Sequence, residues 1–548
     1  MTTDNPVGNY LGLVIGGSLN QGVDVLLDPE ADIEGIGGGQ QVVIQGKNMR
    51  FFGIITDITL QSTDQSIKTN PPDLSDPVMA SITSKAAMYA TIRVIMALTI
   101  SGTISDSDPP KPARNIPNHF SKVYLASDED INMVFGSEDQ RHFWIGTPPD
   151  LESRVRLNLE EFVKRSNGVF GKSGTGKTFL TRLLLIGIVQ KNTAVNLVFD
   201  MENEYGWAGS FEGPGSVKGL KNLFPSKVAV FSLDEYYSRR RNITPDYLVK
   251  IGYNEIEPED IEILRENLNL SSVAADACYT LRDVYGKDNW IKKLIALDRE
   301  ALQELSNKNN LNLMALSTLQ NRIRGLTRFS FLEEKSTGRL VEQILDNIDA
   351  GKHIVLEFGG FKDNLDAYIL VTNLLTRRIH SMYAERADAA MGDESIMPKP
   401  LVITIEEAHK FLNQGIASQT VFGTIAREDR KRRVTLLIVD QRPSGIDDEV
   451  MSQLGTKLSC LLDNEKDVDS VMSGASGSRE LRSVLSKLES KQQSLIFGHS
   501  VPMPIVVKVR DFGTPESYST LMGPDEKPDT AETLEELEQD RQDFFGKE

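Results

Sequence analysis

The stretch Gly168–Thr178 reads GVFGKSGTGKT, and it decides the fold of the chain around it. Its last eight residues match the pattern G-x-x-x-x-G-K-[S/T] without a mismatch, between a short apolar run and the helical segment Thr178–Gln190. Glycines allow backbone N–H groups to turn inward around an anion, and the N-terminus of the following helix adds a favourable dipole. The order of strand, loop and helix therefore predicts a phosphate-binding loop in an α/β domain.

The loop residues have separate predicted roles in binding ATP. The ammonium group of Lys177 is expected to reach the β- and γ-phosphates, and the hydroxyl of Thr178 is expected to ligate Mg²⁺. Backbone N–H groups of the loop supply the other phosphate contacts. The predicted nucleotide-binding residues are Gly171, Ser173, Gly174, Thr175, Gly176, Lys177 and Thr178.

A second element of the same chemistry is the apolar strand Leu401–Ile405, which ends in Glu406 and Glu407. In P-loop ATPases one acid at such a strand end holds Mg²⁺, and the next acts as base or positions the attacking water. We assign the metal to Glu406 and the water to Glu407, although most such strands carry Asp at the metal position. His409 either relays the state of the nucleotide or is a packing residue.

Polar side chains follow two more predicted strands. Asp200 and Glu204 come after one of them, where either carboxylate can contact water or metal, and helix capping by Asp200 is the alternative. Gln441 comes after the other and lies beside Glu407 if the two strands are neighbours. A glutamine at that place can sense the γ-phosphate.

The segment Arg427–Arg433 contains five basic residues in seven. One arginine can reach the nucleotide of a neighbouring subunit as a finger, an effect worth roughly 10³–10⁵ in rate in known phosphoryl-transfer enzymes. The cluster can instead contact nucleic-acid phosphates, or it can be a solvated helix end.

The composition limits the classes of protein to which the chain can belong. The 548 residues carry a net charge of −18, and the last 24 residues contribute −7 of it, which weakens a generic nucleic-acid binder without excluding a motor with a local basic surface. Two cysteines argue against a disulfide scaffold. The polar N-terminus and the lack of a long apolar segment predict a cytoplasmic protein without a membrane anchor.

The pattern of strands and helices divides the chain into five predicted parts. Short apolar runs between Gly-rich turns predict a small β-barrel at 1–150. Alternating strands and helices predict a parallel α/β motor at 151–239 and 351–515, interrupted by a helical insertion at 240–350. The remainder, 516–548, is predicted to be an acidic arm with a helix at Thr533–Asp543.

In this order the motifs resemble the HerA family of the HerA–FtsK superfamily of ATPases. The resemblance covers most of the chain and rests on nine segments, which are Leu11–Gly16, Phe52–Thr56, Ile145–Thr147, Val155–Leu159, Gly171–Thr178, Asp200–Tyr205, Glu406–His409, Arg430–Lys431 and Gln441–Pro443. It implies a RecA-like core with a small N-terminal barrel. It also implies that Arg430 is the finger and Gln441 the paired glutamine. The family usually has Gly before the Arg-Lys pair, where this chain has Asp429, so Arg427, Arg432 and Arg510 stay candidates for the finger.

The resemblance further implies a homohexamer with ATP sites between subunits and a central pore for double-stranded DNA. It implies a partner, either a nuclease of the NurA type in DNA repair or an effector in antiviral defence. Two functions fit the sequence. One is an ATP-driven DNA translocase of the helicase type, and the other is a nucleotide-dependent hexameric scaffold that activates an effector with little translocation. A conjugative coupling ATPase is disfavoured because those proteins typically have transmembrane segments.

Overall fold

The structure is a computed structural model that describes residues 8–63, 75, 88–101, 110–137, 139–210, 216–336, 339–474 and 478–521. The helix predicted at 533–543 lies outside these residues. The chain folds into two compact units. Within the described residues, the first comprises 8–181, 259–266 and 369–510, and the second comprises 182–258, 267–368 and 511–521.

The secondary structure alternates between strands and helices after an all-β beginning. Up to the phosphate loop the elements are β1 (Tyr10–Ser18), β2 (Gly22–Leu27), β3 (Gln41–Gln45), β4 (Met49–Ser62), β5 (Met88–Ser101), β6 (Lys111–Pro112), β7 (Lys122–Leu125), α1 (Asp128–Phe135), β8 (His142–Thr147), β9 (Val155–Asn158), α2 (Leu159–Val163) and β10 (Asn167–Phe170). Between the loop and residue 360 they are α3 (Lys177–Lys191), β11 (Val195–Asp200), β12 (Gly209–Ser210), β13 (Ser216–Val217), α4 (Leu220–Leu223), β14 (Val228–Ser232), α5 (Glu235–Arg240), β15 (Tyr247–Leu248), β16 (Ile251–Gly252), α6 (Pro258–Glu262), α7 (Ser272–Tyr285), α8 (Trp290–Ala296), α9 (Arg299–Lys308), α10 (Leu313–Leu326), β17 (Leu332–Glu333), α11 (Leu340–Asp349) and β18 (His353–Glu357). The remaining elements are α12 (Leu365–Ala389), β19 (Leu401–Glu406), α13 (Val421–Glu428), β20 (Val434–Asp440), α14 (Asp448–Gln453), β21 (Thr456–Ser459), α15 (Glu465–Met472), α16 (Ser478–Leu485), β22 (Gln493–Gly498), β23 (Ile505–Val509) and α17 (Pro515–Leu521).

The N-terminal strands form a closed barrel in the order β2-β1-β7-β3-β4-β5, because β5 pairs back to β2, and β6 adds to β5. Its core is made of branched side chains that are fully buried, among them Val25, Ile44, Ile55, Val94 and Val123. The curvature needs a bulge at Phe52 and Gly53. A Cβ on Gly53 would lie 2.5 Å from the carbonyl oxygen of Ile95, so only glycine fits there.

In the first unit the strands of the motor follow the order β19-β20-β10-β21-β22-β23-β8-β9. Strands β19, β20, β10 and β21 are parallel, as predicted, and every residue of β10 and β20 is buried. The remaining neighbours, β21 through β9, pair antiparallel, which was not predicted. Only six residues, 499–504, connect β22 to β23, and so short a connection permits only antiparallel pairing.

The second unit contains four parallel strands in the order β15-β14-β18-β11 and the helices α7 to α11. The segment 240–350, predicted to be helical, contains these helices, among them the consecutive pair α8 and α9. Asp298 caps the second of them by accepting a hydrogen bond from the backbone N–H of Ala301 at 2.9 Å.

The predicted fold class, a RecA-like P-loop core with an N-terminal barrel and a helical segment, is confirmed. The domain boundaries drawn at 150, 239, 350 and 515 stay predictions. Among the residues that the structure describes, no helix combines the length and the apolar character needed to cross a membrane.

Candidate active site

The phosphate loop leaves the buried strand β10 and ends at the first turn of α3. Gly171, Gly174 and Gly176 have φ angles of 149°, 77° and 97°, which residues other than glycine rarely adopt. A Cβ on Gly171 would also lie 2.8 Å from both the Cβ of Cys460 and the Oγ1 of Thr175. The glycine pattern therefore serves the backbone geometry of the loop, as predicted.

Lys177 lies within the loop and close to the acids of the neighbouring strands. Its ammonium group donates a hydrogen bond to the carbonyl oxygen of Lys172 at 2.8 Å, and Thr175 Oγ1 donates to the same oxygen at 2.8 Å. Burial lowers the pKa of Lys177, and the negative charges of Glu407, Asp440 and Glu406 act in the opposite direction. The loop lysine therefore shares one site with both predicted catalytic acids.

Strand β19 delivers the two glutamates to this site by an abrupt change of backbone direction. Glu406 is the last strand residue, and Glu407 adopts a left-handed conformation with φ 48° and ψ 44°. Such a conformation costs a non-glycine residue free energy and persists only where surrounding contacts enforce it. An unbroken strand would place the two carboxylates on opposite faces of the sheet, and the left-handed conformation of Glu407 breaks this alternation.

Gln441 contacts Glu407, and this placement was predicted from the sequence. Strands β19 and β20 pair in parallel register, with Glu406 opposite Val439. Gln441 Nε2 donates a hydrogen bond to Glu407 Oε1 at 3.0 Å. Because a carboxylate only accepts hydrogen bonds, the amide nitrogen of Gln441 must face it.

Asp440, the last residue of β20, was not among the residues predicted for the site. Its carboxylate is fully buried and accepts a hydrogen bond from His409 Nδ1 at 3.0 Å. It also accepts from the backbone N–H groups of His409 and Arg442, both at 2.7 Å. The available signal was a carboxylate at the end of an apolar strand directly before Gln441. His409 is thus held by polar contacts with Asp440.

The four finger candidates differ in their surroundings. Arg427 donates to the carbonyl oxygens of Gly423 and Ala417, both at 3.1 Å, and to Glu449 at 3.0 Å. The guanidinium of Arg510 stacks 4.1 Å from the ring centroid of Trp144. Arg432 lies 3.2 Å from Nε2 of His380. Arg430 lies in the 3-10 turn Asp429–Arg432, and its side chain falls outside the part that the structure describes.

The Thr178 hydroxyl and the Glu406 carboxylate are both oxygen donors, which suits a hard cation such as Mg²⁺. Mg²⁺ in ATPases is typically held by one or two protein oxygens together with water and phosphate oxygens. The described residues contain no group of three or more His, Cys, Asp or Glu side chains able to hold a metal, so an all-protein metal site is not found there. The donor set fits a cation that arrives with the nucleotide.

Asp200 does not have the free carboxylate that a metal or water contact requires. It is fully buried within the second unit and accepts hydrogen bonds from the backbone N–H groups of Glu204, Tyr205 and Gly206, at 2.8, 2.8 and 3.1 Å. Asp200 therefore closes the turn after β11, and it does not cap a helix, which was the predicted alternative. Burial raises the pKa of Asp200 to about 6 despite these three donors.

Glu357 is the parallel neighbour of Asp200 on strand β18. Burial, and then the charge of Asp200, raise the pKa of Glu357 to about 8 from its ordinary 4.5. Between these values the folded protein binds the proton more tightly than the unfolded chain does. The stabilisation is therefore complete below about pH 4.5 and is lost as the pH rises through about 8.

Glu357→Gln is expected to remove this pH dependence, because glutamine is neutral at every pH. Relative to the parent protein, the variant should gain roughly 1–3 kcal/mol of stability between pH 6 and pH 8.5. Thermal melts at both pH values measure the gain, and Glu342→Gln on the exposed face of α11 is the control. Parallel stability curves for the parent and Glu357→Gln would contradict the burial of a protonated carboxyl.

The chain is similar to known proteins over most of its length. Residues 143–379 match the model of the central domain of helicase HerA. The chain is 26% identical over 514 residues to the DNA double-strand break repair helicase HerA of Sulfurisphaera tokodaii, with 92% of this chain and 93% of that protein covered. The HerA of Pyrococcus furiosus is 23% identical over 416 residues, covering 71% and 73%. Among solved structures, VirB4 of Thermoanaerobacter pseudethanolicus gives a TM-score of 0.45 at 13% identity, covering 70% of this chain and 100% of that one.

Proposed function

We propose that the chain, which is similar to the HerA helicases, is an ATP-hydrolysing ring motor that translocates on double-stranded DNA. One observation carries the proposal. The loop lysine, the acids at the end of β19 and the glutamine after β20 meet at the carboxyl ends of adjacent parallel strands. In open α/β sheets this edge is where ligands bind. A phosphate cradle with a carboxylate and an amide beside it suits hydrolysis of a phosphoanhydride.

Each residue has one part in that reaction. Lys177 and the N–H groups of the loop would hold the phosphates. Thr178 and Glu406 would hold Mg²⁺, which would supply positive charge to the phosphate oxygens. Glu407 orients the attacking water and accepts its proton as the bond to the γ-phosphorus forms and ADP leaves. The amide of Gln441, which donates to Glu407, is placed to respond to the γ-phosphate.

The proposal that the motor is a ring depends on an arginine that would act between subunits. We assign the finger to Arg430, which would act on the nucleotide of the adjacent subunit in a homohexamer. The contacts of Arg427 with two carbonyl oxygens and Glu449 support this choice, because moving its guanidinium would break all three. A finger supplied by the neighbour makes turnover depend on assembly.

The mode of DNA contact follows from charge. With a net charge of −18 the chain as a whole repels DNA, so contacts must come from a local basic surface such as a pore. Contacts to backbone phosphates carry little sequence preference and weaken strongly with salt. The names of the relatives support a role in double-strand break repair. A partner nuclease of the NurA type, or an effector in antiviral defence, would then act on the DNA that the ring moves.

The proposal predicts that blunt duplex DNA stimulates ATP turnover. We expect a rise of about tenfold or more at 50 mM salt, falling steeply toward 200 mM because several phosphate contacts are lost together. Phosphate release by the purified chain, measured with and without DNA at each salt concentration, tests this. Turnover that DNA leaves unchanged would contradict the motor and favour the rival function, a nucleotide-dependent scaffold that activates an effector.

A further inference from the structure

Asp440 connects two turns that the reaction uses. One turn follows β19 and carries Glu407 and His409, and the other follows β20 and carries Gln441 and Arg442. The Asp440 carboxylate accepts the backbone N–H of His409 through Oδ2 and the backbone N–H of Arg442 through Oδ1, both at 2.7 Å. One buried side chain therefore sets the separation of the two turns.

The same carboxylate fixes the imidazole ring of His409. Nδ1 of His409 lies 3.0 Å from Oδ2 and 3.2 Å from Oδ1 of Asp440, so Nδ1 must carry a hydrogen. Nδ1 also lies 3.6 Å from Oε2 of Glu407, while Oε1 of Glu407 accepts from Gln441 at 3.0 Å. The Glu407 carboxylate thus has His409 beside one oxygen and Gln441 on the other.

The backbone at Glu407 shows why such support is needed. A glutamate at φ 48° stays left-handed only where its neighbours enforce it, and the residue after next, His409, is anchored by both its N–H and its ring. Packing closes the arrangement from the other side, because a Cβ on Gly445 would lie 3.1 Å from the Cβ of His409. Little room remains for His409 to move.

We propose that Asp440 is a positioning residue that acts through His409 to hold the Glu407 carboxylate and Gln441 in the geometry for hydrolysis. The proposal rests on the ATPase function assigned above, but it does not need DNA or a ring. The hydrogen bonds of the Asp440 carboxylate go to His409 and Arg442 and not to the groups that would hold ATP. Its effect should therefore fall on the rate of the chemical step and leave ATP affinity intact.

The first test is Asp440→Asn. Asparagine offers one acceptor and one donor, so one of the two backbone N–H groups would face another donor and its hydrogen bond would be lost. We expect the kcat of basal ATP hydrolysis to fall roughly tenfold or more, with the Kd for ATP unchanged within about twofold. Asp130→Asn is the matched control, a buried aspartate that accepts from Ser127 N at 2.9 Å and should lower stability without changing kcat. A fall in ATP affinity equal to the fall in kcat would overturn the proposal.

A double-mutant cycle with Glu407→Gln separates positioning from general loosening. If Asp440 acts through Glu407, adding Asp440→Asn to Glu407→Gln should lower single-turnover hydrolysis by less than about twofold. If the double variant instead loses the product of the two single-variant rate reductions, Asp440 acts independently of Glu407. Because these measurements use no DNA, they can succeed even if the motor function fails.

His409 provides a variant pair that does not depend on the folding of Asp440→Asn. The side-chain nitrogen of asparagine occupies about the place of imidazole Nδ1, and that of glutamine about the place of Nε2. His409→Asn should therefore keep most of the kcat, within about threefold, while His409→Gln and His409→Ala should lose roughly tenfold. Equal losses in all three variants would contradict the role of the Nδ1–Asp440 hydrogen bond.

Discussion

Replacing Lys177 with alanine is expected to abolish ATP turnover, lowering kcat/KM by about 10³-fold or more. The charges of Glu407, Asp440 and Glu406 act on this ammonium group in the loop. Without it, the phosphates of ATP would lie near these carboxylates without the positive charge of the loop lysine. Phosphate release and equilibrium binding of ATP, measured on the same preparation, check the result.

A matched control for this variant is Lys191→Ala at the other end of helix α3. It removes the same charge from the same helix, so it corrects for any loss of helix stability. We expect its turnover to stay within about twofold of the parent protein. If Lys177→Ala turned over ATP as fast as Lys191→Ala, the assignment of the phosphate loop would be wrong.

Replacing Glu407 with glutamine is expected to give the second largest effect, with a different signature. Glutamine keeps the size of the side chain but cannot accept the proton of the attacking water, and general-base catalysis contributes roughly 10²–10⁴ in rate. The kcat should fall by about that factor, while ATP binding stays within a few-fold because Lys177 and the loop are unchanged. The variant should therefore hold ATP without hydrolysing it.

Single-turnover hydrolysis together with the Kd for ATP measures this separation. Glu449→Gln serves as the control, because Glu449 is an exposed glutamate that pairs with Arg427. A Glu407→Gln variant that hydrolyses ATP at the parent rate would move the catalytic role to another acid, with Glu406 as the first candidate.

The parts of the site that lie within one continuous segment were predictable from the sequence. In the loop Gly171–Thr178, adjacent residues supply both the phosphate-binding groups and the glycines that the backbone requires. The sequence motif therefore agrees with the observed φ angles of the loop. The contact between Gln441 and Glu407 was also predictable, since parallel strands bring their carboxyl ends to one edge. Both inferences needed only local sequence and one rule of topology.

Contacts between segments were harder to predict. Asp440 reads as an ordinary end of a strand until β20 is paired beside β19, and only that pairing places it under His409. The antiparallel order of β22, β23 and β8 was missed for the same reason, because strand direction depends on the path of the chain. Burial cannot be read from Asp200 alone either, since three backbone donors of a later turn enclose its carboxylate.

One strand of the barrel could not be identified from the periodicity of its apolar residues. Strand β5 has a run of apolar residues without a clear alternation over part of its length, so the pattern alone does not identify it as a strand. It is buried on one side by the barrel core and pairs with both β4 and β2. An arginine finger that acts on a neighbouring subunit would be harder still to identify, since the nucleotide it acts on is bound to another chain.

The measurement that tests the central claim most directly is displacement of a third DNA strand from a duplex by the purified protein. Directed movement along the duplex strips off a triplex-forming strand, whereas binding alone leaves it in place. We predict release that requires ATP, shows little dependence on the flanking sequence and is absent in Lys177→Ala and Glu407→Gln. Rapid ATP hydrolysis in the presence of the duplex with no strand released would contradict the account of this chain as a DNA-translocating motor.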